Sequence, residues 1–217
     1  MVRLACIAVG YLFGLFQTSY LYGRMHGIDI RTQGSGNAGT TNALRVLGKK
    51  AGAITFIGDA LKCILAIGLT RLLFGGDYGD IRPLLAVYTG AGVVLGHNFP
   101  FYLGFKGGKG IAASGGMMLA FGDMRIFLVC LFVFILAFSI TNYVSLGSLL
   151  LYASFFVQIV FYGQKGAFGM AQPQLMELYV LTGALTLLAV WQHRANIRRL
   201  VSGTENRTYL FKKRQGN

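Results

Sequence analysis

The sequence predicts an all-α, polytopic membrane protein with about seven transmembrane helices and a short amphipathic interfacial helix after the first. Of its 217 residues, 54% are hydrophobic and only 12% are charged, and the mean hydropathy is +0.58. Several apolar runs are long enough to cross hydrocarbon, and most of the remaining polar residues gather in three short segments. This composition is typical of a membrane protein rather than of a soluble domain.

Seven apolar runs justify the helix count. They cover residues 4–22, 53–74, 83–99, 111–121, 125–140, 144–162 and 175–191. A helix needs about 20 residues to span hydrocarbon, and the fourth run is much shorter, so it is either a short crossing or a re-entrant half-helix. The first run follows Arg3 like a signal peptide, but no convincing cleavage site follows it, so we expect a transmembrane helix.

Positive charge predicts the orientation, because Lys and Arg in short loops stay in the cytoplasm. With seven crossings, one side receives Arg24, Arg31, Arg45, Lys49, Lys50, Lys106, Lys109, Arg194, Arg198, Arg199, Arg207, Lys212, Lys213 and Arg214. The other side receives only Arg3, Arg82, Arg125 and Lys165. We therefore expect the N-terminus outside and the C-terminus and all three polar segments in the cytoplasm, with the short fourth run as a real crossing.

We expect a single domain over residues 1–217, because neither an internal repeat nor a linker interrupts the chain. The net charge of +13 is explained by membrane orientation and by anionic ligands, and no nucleic-acid motif is present. Cys6, Cys63 and Cys130 lie singly in apolar runs, which favours core positions over a metal site or a disulfide.

Two features inside the apolar runs predict structural roles. Gly10 and Gly14 stand four residues apart, a spacing typical of close helix packing in membranes. Asp59 and Lys62 stand three residues apart in the second run, and buried charges are costly unless they are paired or functional. We expect a structural ion pair near the site.

The first polar segment, residues 34–45 (GSGNAGTTNALR), combines three glycines, two asparagines, three hydroxyl side chains and an arginine. Asn37 is a candidate N-cap for a short amphipathic helix over residues 38–49. A helix N-terminus after glycines offers free N–H groups to an anion, and Arg45 is able to fold back toward the same ligand. An ordinary capped connector helix is the alternative, but the density of polar side chains favours a site.

The second polar segment, residues 96–110 (GHNFPFYLGFKGGKG), carries His97, a break at Pro100, and lysines among glycines. The small residues leave room for a phosphate to touch backbone, while Lys106 and Lys109 supply charge. The segment is not a Walker A loop, since Leu103 and Gly110 stand where that motif needs Gly and Ser/Thr. The alternative is a flexible cytoplasmic loop, with His97 as a core histidine.

The third polar segment, residues 191–210, is expected to continue the last helix out of the membrane. Helical spacing places His193 and Asn196 on one face, and Arg194 and Arg198 on the neighbouring face toward anionic headgroups. Glu205, after a turn, could hold a basic partner or a substrate hydroxyl. Residues 212–214 are expected to be a generic basic tail.

These segments resemble the motifs of the bacterial membrane glycerol-3-phosphate acyltransferases that use acyl phosphate. The family patterns GSGNxGxTNxxR, GHxFPxxxxFKGGKGxAT and HxxNIxRLxxGxE match residues 34–45, 96–112 and 193–205. The order and spacing of the motifs agree along essentially the whole chain. Ala38 stands where proline is frequent, and Ala113 where threonine is usual.

The resemblance implies transfer of an acyl group from acyl phosphate to the 1-hydroxyl of glycerol 3-phosphate, which produces lysophosphatidic acid and phosphate. It also implies that the protein lies in the bacterial cell membrane, in contact with membrane lipids. It implies no metal and no cofactor. Together with the clustering it implies catalytic roles for Ser35, Arg45, Lys106, His193 and Asn196. It implies substrate-binding roles for Gly34, Gly36, Asn37, Thr41, Asn42, His97, Gly107, Gly108, Lys109, Gly110, Ser145, Arg199 and Glu205. Either His193 or the donor phosphate takes the proton of the acceptor hydroxyl. Acyl-chain preference and oligomeric state stay open.

Other function classes fit the residues less well. The acyltransferases with a His-x4-Asp pair are excluded, because Arg31, Tyr102 and Arg198 stand at the aspartate position after the three histidines. CDP-alcohol phosphotransferases need an aspartate cluster that this chain lacks. A transporter or anion channel is the remaining rival, but one-sided polar segments without a repeat disfavour it. A purely structural subunit leaves the motifs unexplained.

Overall fold

The computed structural model describes residues 1–209, and every regular element within that range is helical. The α-helices of this part of the chain are α1 (Val2–Gly14), α2 (Thr18–Met25), α3 (Thr40–Leu47), α4 (Lys49–Phe74), α5 (Arg82–Asn98), α6 (Ile111–Phe121), α7 (Met124–Thr141), α8 (Val144–Gln164), α9 (Gln172–Gln192) and α10 (Arg194–Val201). The predicted all-α membrane fold is confirmed.

Six helical segments in the described chain are long and apolar enough to cross a membrane. They are Val2–Met25, Lys49–Phe74, Gly79–Leu103, Met124–Thr141, Val144–Gln164 and Gln172–Gln192. The predicted count of seven is reached only with α6, whose 11 residues make a helix roughly 16 Å long. That is about half the thickness of a hydrocarbon core, and α6 is well short of the other spans.

The apolar run predicts one continuous helix for the first crossing, but the structure shows two. The crossing breaks between Gly14 and Thr18 into α1 and α2. Gln17, fully buried, fills the break, and its Nε2 donates to the carbonyl oxygens of Gly14 at 3.1 Å and His97 at 3.0 Å. The break is therefore held by a side chain that satisfies main-chain groups of α1 and α5.

Helices α1 and α5 pack backbone to backbone. A Cβ atom on Gly10 would lie 2.1 Å from the carbonyl oxygen of Thr89, and one on Gly14 would lie 2.3 Å from that of Val93. The approach is reciprocal, since a Cβ on Gly92 would lie 2.3 Å from the Ile7 oxygen. The predicted packing role of Gly10 and Gly14 is confirmed, and α5 is far more buried than the other spans.

The short amphipathic helix after the first crossing is present as α3, but its predicted start and cap are wrong. It begins at Thr40 with Gly39 as N-cap, rather than at Ala38 after Asn37. At its other end Gly48, with φ +88°, turns the chain directly into α4. Gly48 separates two helices where the sequence pattern predicts one helix to residue 49, because its left-handed backbone ends the first.

The predicted core residues and ion pair are found. Cys6, Cys63 and Cys130 are buried and free. Lys62 Nζ lies 2.9 Å from Asp59 Oδ1 within α4. At the opposite end of the bundle, Arg3 pairs with Glu177, and Tyr88 donates to the same carboxylate at 2.6 Å. This group joins α1, α5 and α9 away from the polar segments.

Candidate active site

A cavity of about 670 Å³ lies where the three polar segments meet. It collects most of the residues that the sequence predicts for the site. These are Gly34, Ser35, Asn37, Thr41, Asn42, Arg45, His97, Lys109, Gly110, Ser145, His193, Asn196, Arg199 and Glu205. Residues as far apart in the chain as Gly34 and Glu205 therefore share one cavity, with cationic and hydrogen-bonding side chains around it.

Part of the cavity wall is apolar and was not predicted. Phe56 of α4, Ile111 of α6, Phe134 of α7 and Val144 of α8 line it. Apolar residues on a membrane helix look alike in sequence whether they face lipid, core or a cavity. The wall gives the otherwise polar site one apolar side.

Six polar residues that line the cavity were also missing from the predicted site: Thr40, Asp59, Ser148, Gln192, Arg194 and Asn206. Arg194 was expected to face anionic headgroups, but it borders the cavity. Thr40 lines the cavity, and its buried Oγ1 has no hydrogen-bond partner among the described residues. Its place in the first polar segment was the available signal. Asp59 also borders the cavity, although the spacing with Lys62 indicates only a structural pair.

Four of the predicted residues do not line the cavity: Gly36, Lys106, Gly107 and Gly108. Lys106 is exposed, because the chain turns through left-handed Gly104 (φ +63°) and Phe105 (φ +59°) just before it. The next lysine, Lys109, is the one that enters the cavity. The structure therefore places Lys109, and not Lys106, at the cavity.

The glycine pair closes the second polar segment onto α5. The N–H of Gly107 donates to the Asn98 carbonyl oxygen and the N–H of Gly108 to that of His97, both at 3.1 Å. A Cβ on Gly108 would stand 2.0 Å from His97 Nε2. These two amides are therefore used within the protein, and the missing side chains let the loop lie against the histidine.

Asn42 organises the first polar segment. Its Oδ1 accepts from the Ser35 N–H at 2.9 Å, and its Nδ2 donates to the carbonyl oxygens of Ile30 and Gln33, both at 3.0 Å. The left-handed turn at Gly34 (φ +58°) is thereby fixed against α3. Asn42 holds Ser35 at the cavity more than it offers free groups of its own.

Glu205 organises the third polar segment. Its Oε1 accepts from Asn196 Nδ2 at 2.7 Å and from Ser145 Oγ at 3.1 Å, while its Oε2 accepts from Arg199 Nε at 2.8 Å. Lys109 donates to Asn196 Oδ1. One buried carboxylate thus draws α8, α10 and, through Asn196, the second polar segment together.

The sequence pattern predicts that His193 lies within a continuous last helix. Instead the helix breaks at His193, which separates α9 from α10. Its Nδ1 lies 2.8 Å from the Ala189 carbonyl oxygen, and because that oxygen can only accept, Nδ1 carries the hydrogen. Burial, and then the nearby Lys109 charge, lower the pKa of His193 to about 4. At neutral pH its Nε2 is a free base.

Lys109 is a partly buried cation among other positive charges. Burial first, and then the charges of Arg199, Arg45 and Arg194, lower its pKa to about 8, while Glu205 opposes that shift. The surrounding arginines leave a surplus of positive charge that an anionic ligand would neutralise.

The chain beyond α10 contacts the first polar segment and the turn before α8. The Arg45 guanidinium donates to Thr208 Oγ1 at 3.2 Å, and the Thr208 N–H donates to the Asn142 carbonyl oxygen at 2.9 Å. The predicted generic tail, residues 212–214, lies outside the described residues.

Comparison with known proteins gives one consistent family. Residues 4–203 match the family model described as glycerol-3-phosphate acyltransferase. A glycerol-3-phosphate acyltransferase of Clostridioides difficile is 47% identical over 92% of this chain and 92% of its own. That of Bacillus subtilis is 39% identical over 92% of this chain and 94% of its own.

Solved structures agree with the sequence relatives. The crystal structure of PlsY, an integral membrane glycerol 3-phosphate acyltransferase, in its glycerol 3-phosphate form has a TM-score of 0.81 at 31% identity, covering 98% of this chain and 100% of that one. Its lysophosphatidic acid form has a TM-score of 0.78 at 31% identity, covering 96% of each chain.

Proposed function

The chain belongs to the glycerol-3-phosphate acyltransferase family and is an integral membrane protein of that activity, and from this premise we propose that its donor is acyl phosphate. The acyl group passes to the 1-hydroxyl of glycerol 3-phosphate, and the products are lysophosphatidic acid and phosphate. A solved relative is described in a lysophosphatidic acid form, which supports this product.

The observation that carries the proposal is the meeting of cations with an apolar wall in one cavity. Arg45, Lys109 and Arg199 line the same space as Phe56 and Phe134. Both proposed substrates carry phosphate, and the donor also carries a long acyl chain. A site that combines phosphate-binding charge with an apolar side suits that pair of ligands.

Acyl phosphate is a mixed anhydride, so the reaction needs no covalent enzyme intermediate. The hydroxyl oxygen of the acceptor forms a bond to the acyl carbon, and the bond from that carbon to the phosphate oxygen breaks. The leaving phosphate takes the bonding electrons. Cations positioned at that phosphate stabilise the growing charge, and orientation of the two substrates supplies the rest.

The hydroxyl proton has two possible acceptors. His193 presents an unprotonated Nε2 at the cavity, since its Nδ1–H is directed to Ala189. The donor phosphate is the other. In both cases Ser145 and Asn196, which are held by Glu205, position glycerol 3-phosphate.

Phosphate binding is assigned to the first and second polar segments. Ser35, Asn37 and Thr41 supply side chains at the N-terminal end of α3. Arg45 supplies its guanidinium from the last turn of the same helix, and Lys109 supplies charge from the glycine loop. We assign this role to Lys109 rather than to Lys106 because only Lys109 reaches the cavity.

The orientation belongs to the same proposal: N-terminus outside, C-terminus and cavity in the cytoplasm of a bacterial cell. Single cysteines at Gln33, Lys106 and Ser202, all exposed, would react with an impermeant reagent only from the cytoplasmic side, and one at Asp77 only from outside. The three native cysteines are buried. Labelling of Lys106→Cys from outside would overturn the orientation.

The deciding experiment offers purified protein glycerol 3-phosphate with either acyl phosphate or acyl-CoA. We expect lysophosphatidic acid and phosphate in equal amounts from acyl phosphate alone. An Arg199→Ala variant should lose most of the activity, and Arg198→Ala, an exposed arginine outside the cavity lining, should keep it. Product from acyl-CoA alone would refute the donor assignment, and no product with either would favour an anion carrier.

A further inference from the structure

Lys62 has a set of partners that its pairing with Asp59 does not explain. Its Nζ lies 2.7 Å from the Phe16 carbonyl oxygen, 2.8 Å from His97 Nδ1 and 2.9 Å from Asp59 Oδ1, with the Gly14 carbonyl oxygen farther away at 3.5 Å. Phe16 lies in the break between α1 and α2. The lysine therefore joins α4, the broken first crossing and the end of α5.

For a charged Lys62, the hydrogen count at Nζ decides the tautomer of His97. A lysine ammonium has three hydrogens and no acceptor, whereas a carbonyl oxygen and a carboxylate oxygen only accept. Asp59 supplies the opposite charge that a buried ammonium needs. With one hydrogen directed to Phe16 and one to Asp59, the third goes to His97 Nδ1. That nitrogen must then be the acceptor, so the ring is neutral and its hydrogen is on Nε2.

The Nε2–H of His97 is the ring hydrogen left for a ligand to accept. His97 lines the cavity, and Nε2 has no hydrogen-bond partner among residues 1–209. Gly108 lies directly beside Nε2, and a Cβ atom at that glycine would stand only 2.0 Å from this nitrogen. His97 and His193 are thus set in opposite tautomers at one cavity, with a donor on the first and an acceptor on the second.

We propose that Lys62 and Asp59 are positioning residues, which hold His97 as a neutral Nε2–H donor to an anionic oxygen of a phosphate group in the cavity. The inference rests on the proposed function for the identity of that phosphate. Asp59 also accepts from Thr18 Oγ1 at 3.1 Å, so the carboxylate is fixed from a second helix. Removing Lys62 would take away this constraint on the tautomer and leave Asp59 Oδ1, 3.7 Å from His97 Nδ1, without its lysine partner.

The first test is spectroscopic and needs no turnover. Full-length protein is labelled with nitrogen-15 histidine in detergent micelles, and the signals of His26, His97 and His193 are assigned by single His→Gln variants. We expect hydrogen on Nε2 of His97, and glycerol 3-phosphate or inorganic phosphate should shift that signal while exposed His26 stays unchanged. Hydrogen on Nδ1 of His97 would mean that Lys62 is a neutral amine and would overturn the proposal.

The second test compares variants. Lys62→Met should give a mixture of His97 tautomers and lower kcat/KM by roughly 10- to 100-fold. His97→Phe should lose on the order of 100-fold, while His97→Gln, which keeps an N–H near the same place, should recover much of that loss. Equal losses in His97→Gln and His97→Phe would leave only a structural role and refute the proposal.

The outcomes separate this proposal from the donor assignment. If Lys62→Met does not fold, the tautomer of the wild-type protein and the two His97 variants still decide. If the protein makes no product from acyl phosphate, the proposed donor fails while the tautomer measurement stands.

Discussion

The two lysines of the glycine loop offer the sharpest test of the site. Lys109 lines the cavity and donates to Asn196, whereas Lys106, three residues earlier in the same loop, is exposed and outside the lining. Replacing each by Met removes one charge from almost the same length of side chain. The pair differs only in where the structure places it.

The expected magnitudes follow from burial. Removing a fixed charge that contacts an anionic transition state costs about 2 to 4 kcal/mol, which lowers kcat/KM roughly 30- to 1,000-fold. We expect that loss for Lys109→Met. At Lys106 solvent and salt screen the charge within a Debye length of about 8 Å, so the loss should stay within about twofold.

A difference in folding should not account for the difference in activity between Lys106→Met and Lys109→Met. Positive charges of Arg199, Arg45 and Arg194 surround Lys109, so removing its charge relieves repulsion as well as losing the contact with Asn196. Lys109→Met should therefore melt in detergent close to the wild-type temperature. Activity is measured as phosphate release from acyl phosphate, with melting recorded on the same samples. If Lys106→Met lost activity and Lys109→Met did not, the cavity would have been assigned to the wrong chemistry.

Three further outcomes are expected. Burial lowers the pKa of Lys109 to about 8, so its charge is present below that pH and lost above it. We therefore expect kcat/KM to fall as pH rises through about 8. Lys109→Arg, which stays protonated, should remove that fall. Gly108→Ala should abolish activity through its clash with the histidine ring, whereas Gly115→Ala, whose Cβ would meet nothing within 4 Å, should retain it; similar activity in both would contradict the packing of the loop. Gly92→Ala places a Cβ 2.3 Å from a main-chain oxygen of α1 and should lower the melting temperature by several degrees. Gly68→Ala, with open space around its Cβ, should leave the melting temperature unchanged. Unchanged melting of Gly92→Ala would argue against close packing of α1 and α5.

Local pattern was sufficient for the architecture and for most of the polar residues that meet in the cavity. Apolar runs predict membrane helices because each span must satisfy its own backbone, whatever its neighbours do. The three polar segments carry side chains that would be costly in hydrocarbon, so their residue types already indicate a shared polar site. Most of their members do meet in one cavity.

Orientation of individual side chains could not be predicted in the same way. Lys106 and Lys109 have equivalent surroundings in sequence, and only the left-handed turn at Gly104 and Phe105 directs one outward and the other inward. The apolar wall at Phe56 and Phe134 was hidden for a related reason, since hydropathy does not distinguish lipid from cavity.

By itself, the sequence determined the helical membrane fold, the polar segments and their family, because these depend on composition, spacing and the identity of contiguous residues. The tertiary structure alone decided the break at Gln17, the choice of Lys109 and the contact of Lys62 with His97, 35 positions along the chain. Each of these depends on which groups from distant segments satisfy one another's hydrogen bonds and charges. That matching exists only once the helices have packed, because in a low-dielectric interior a polar group takes whichever partner the fold brings within reach.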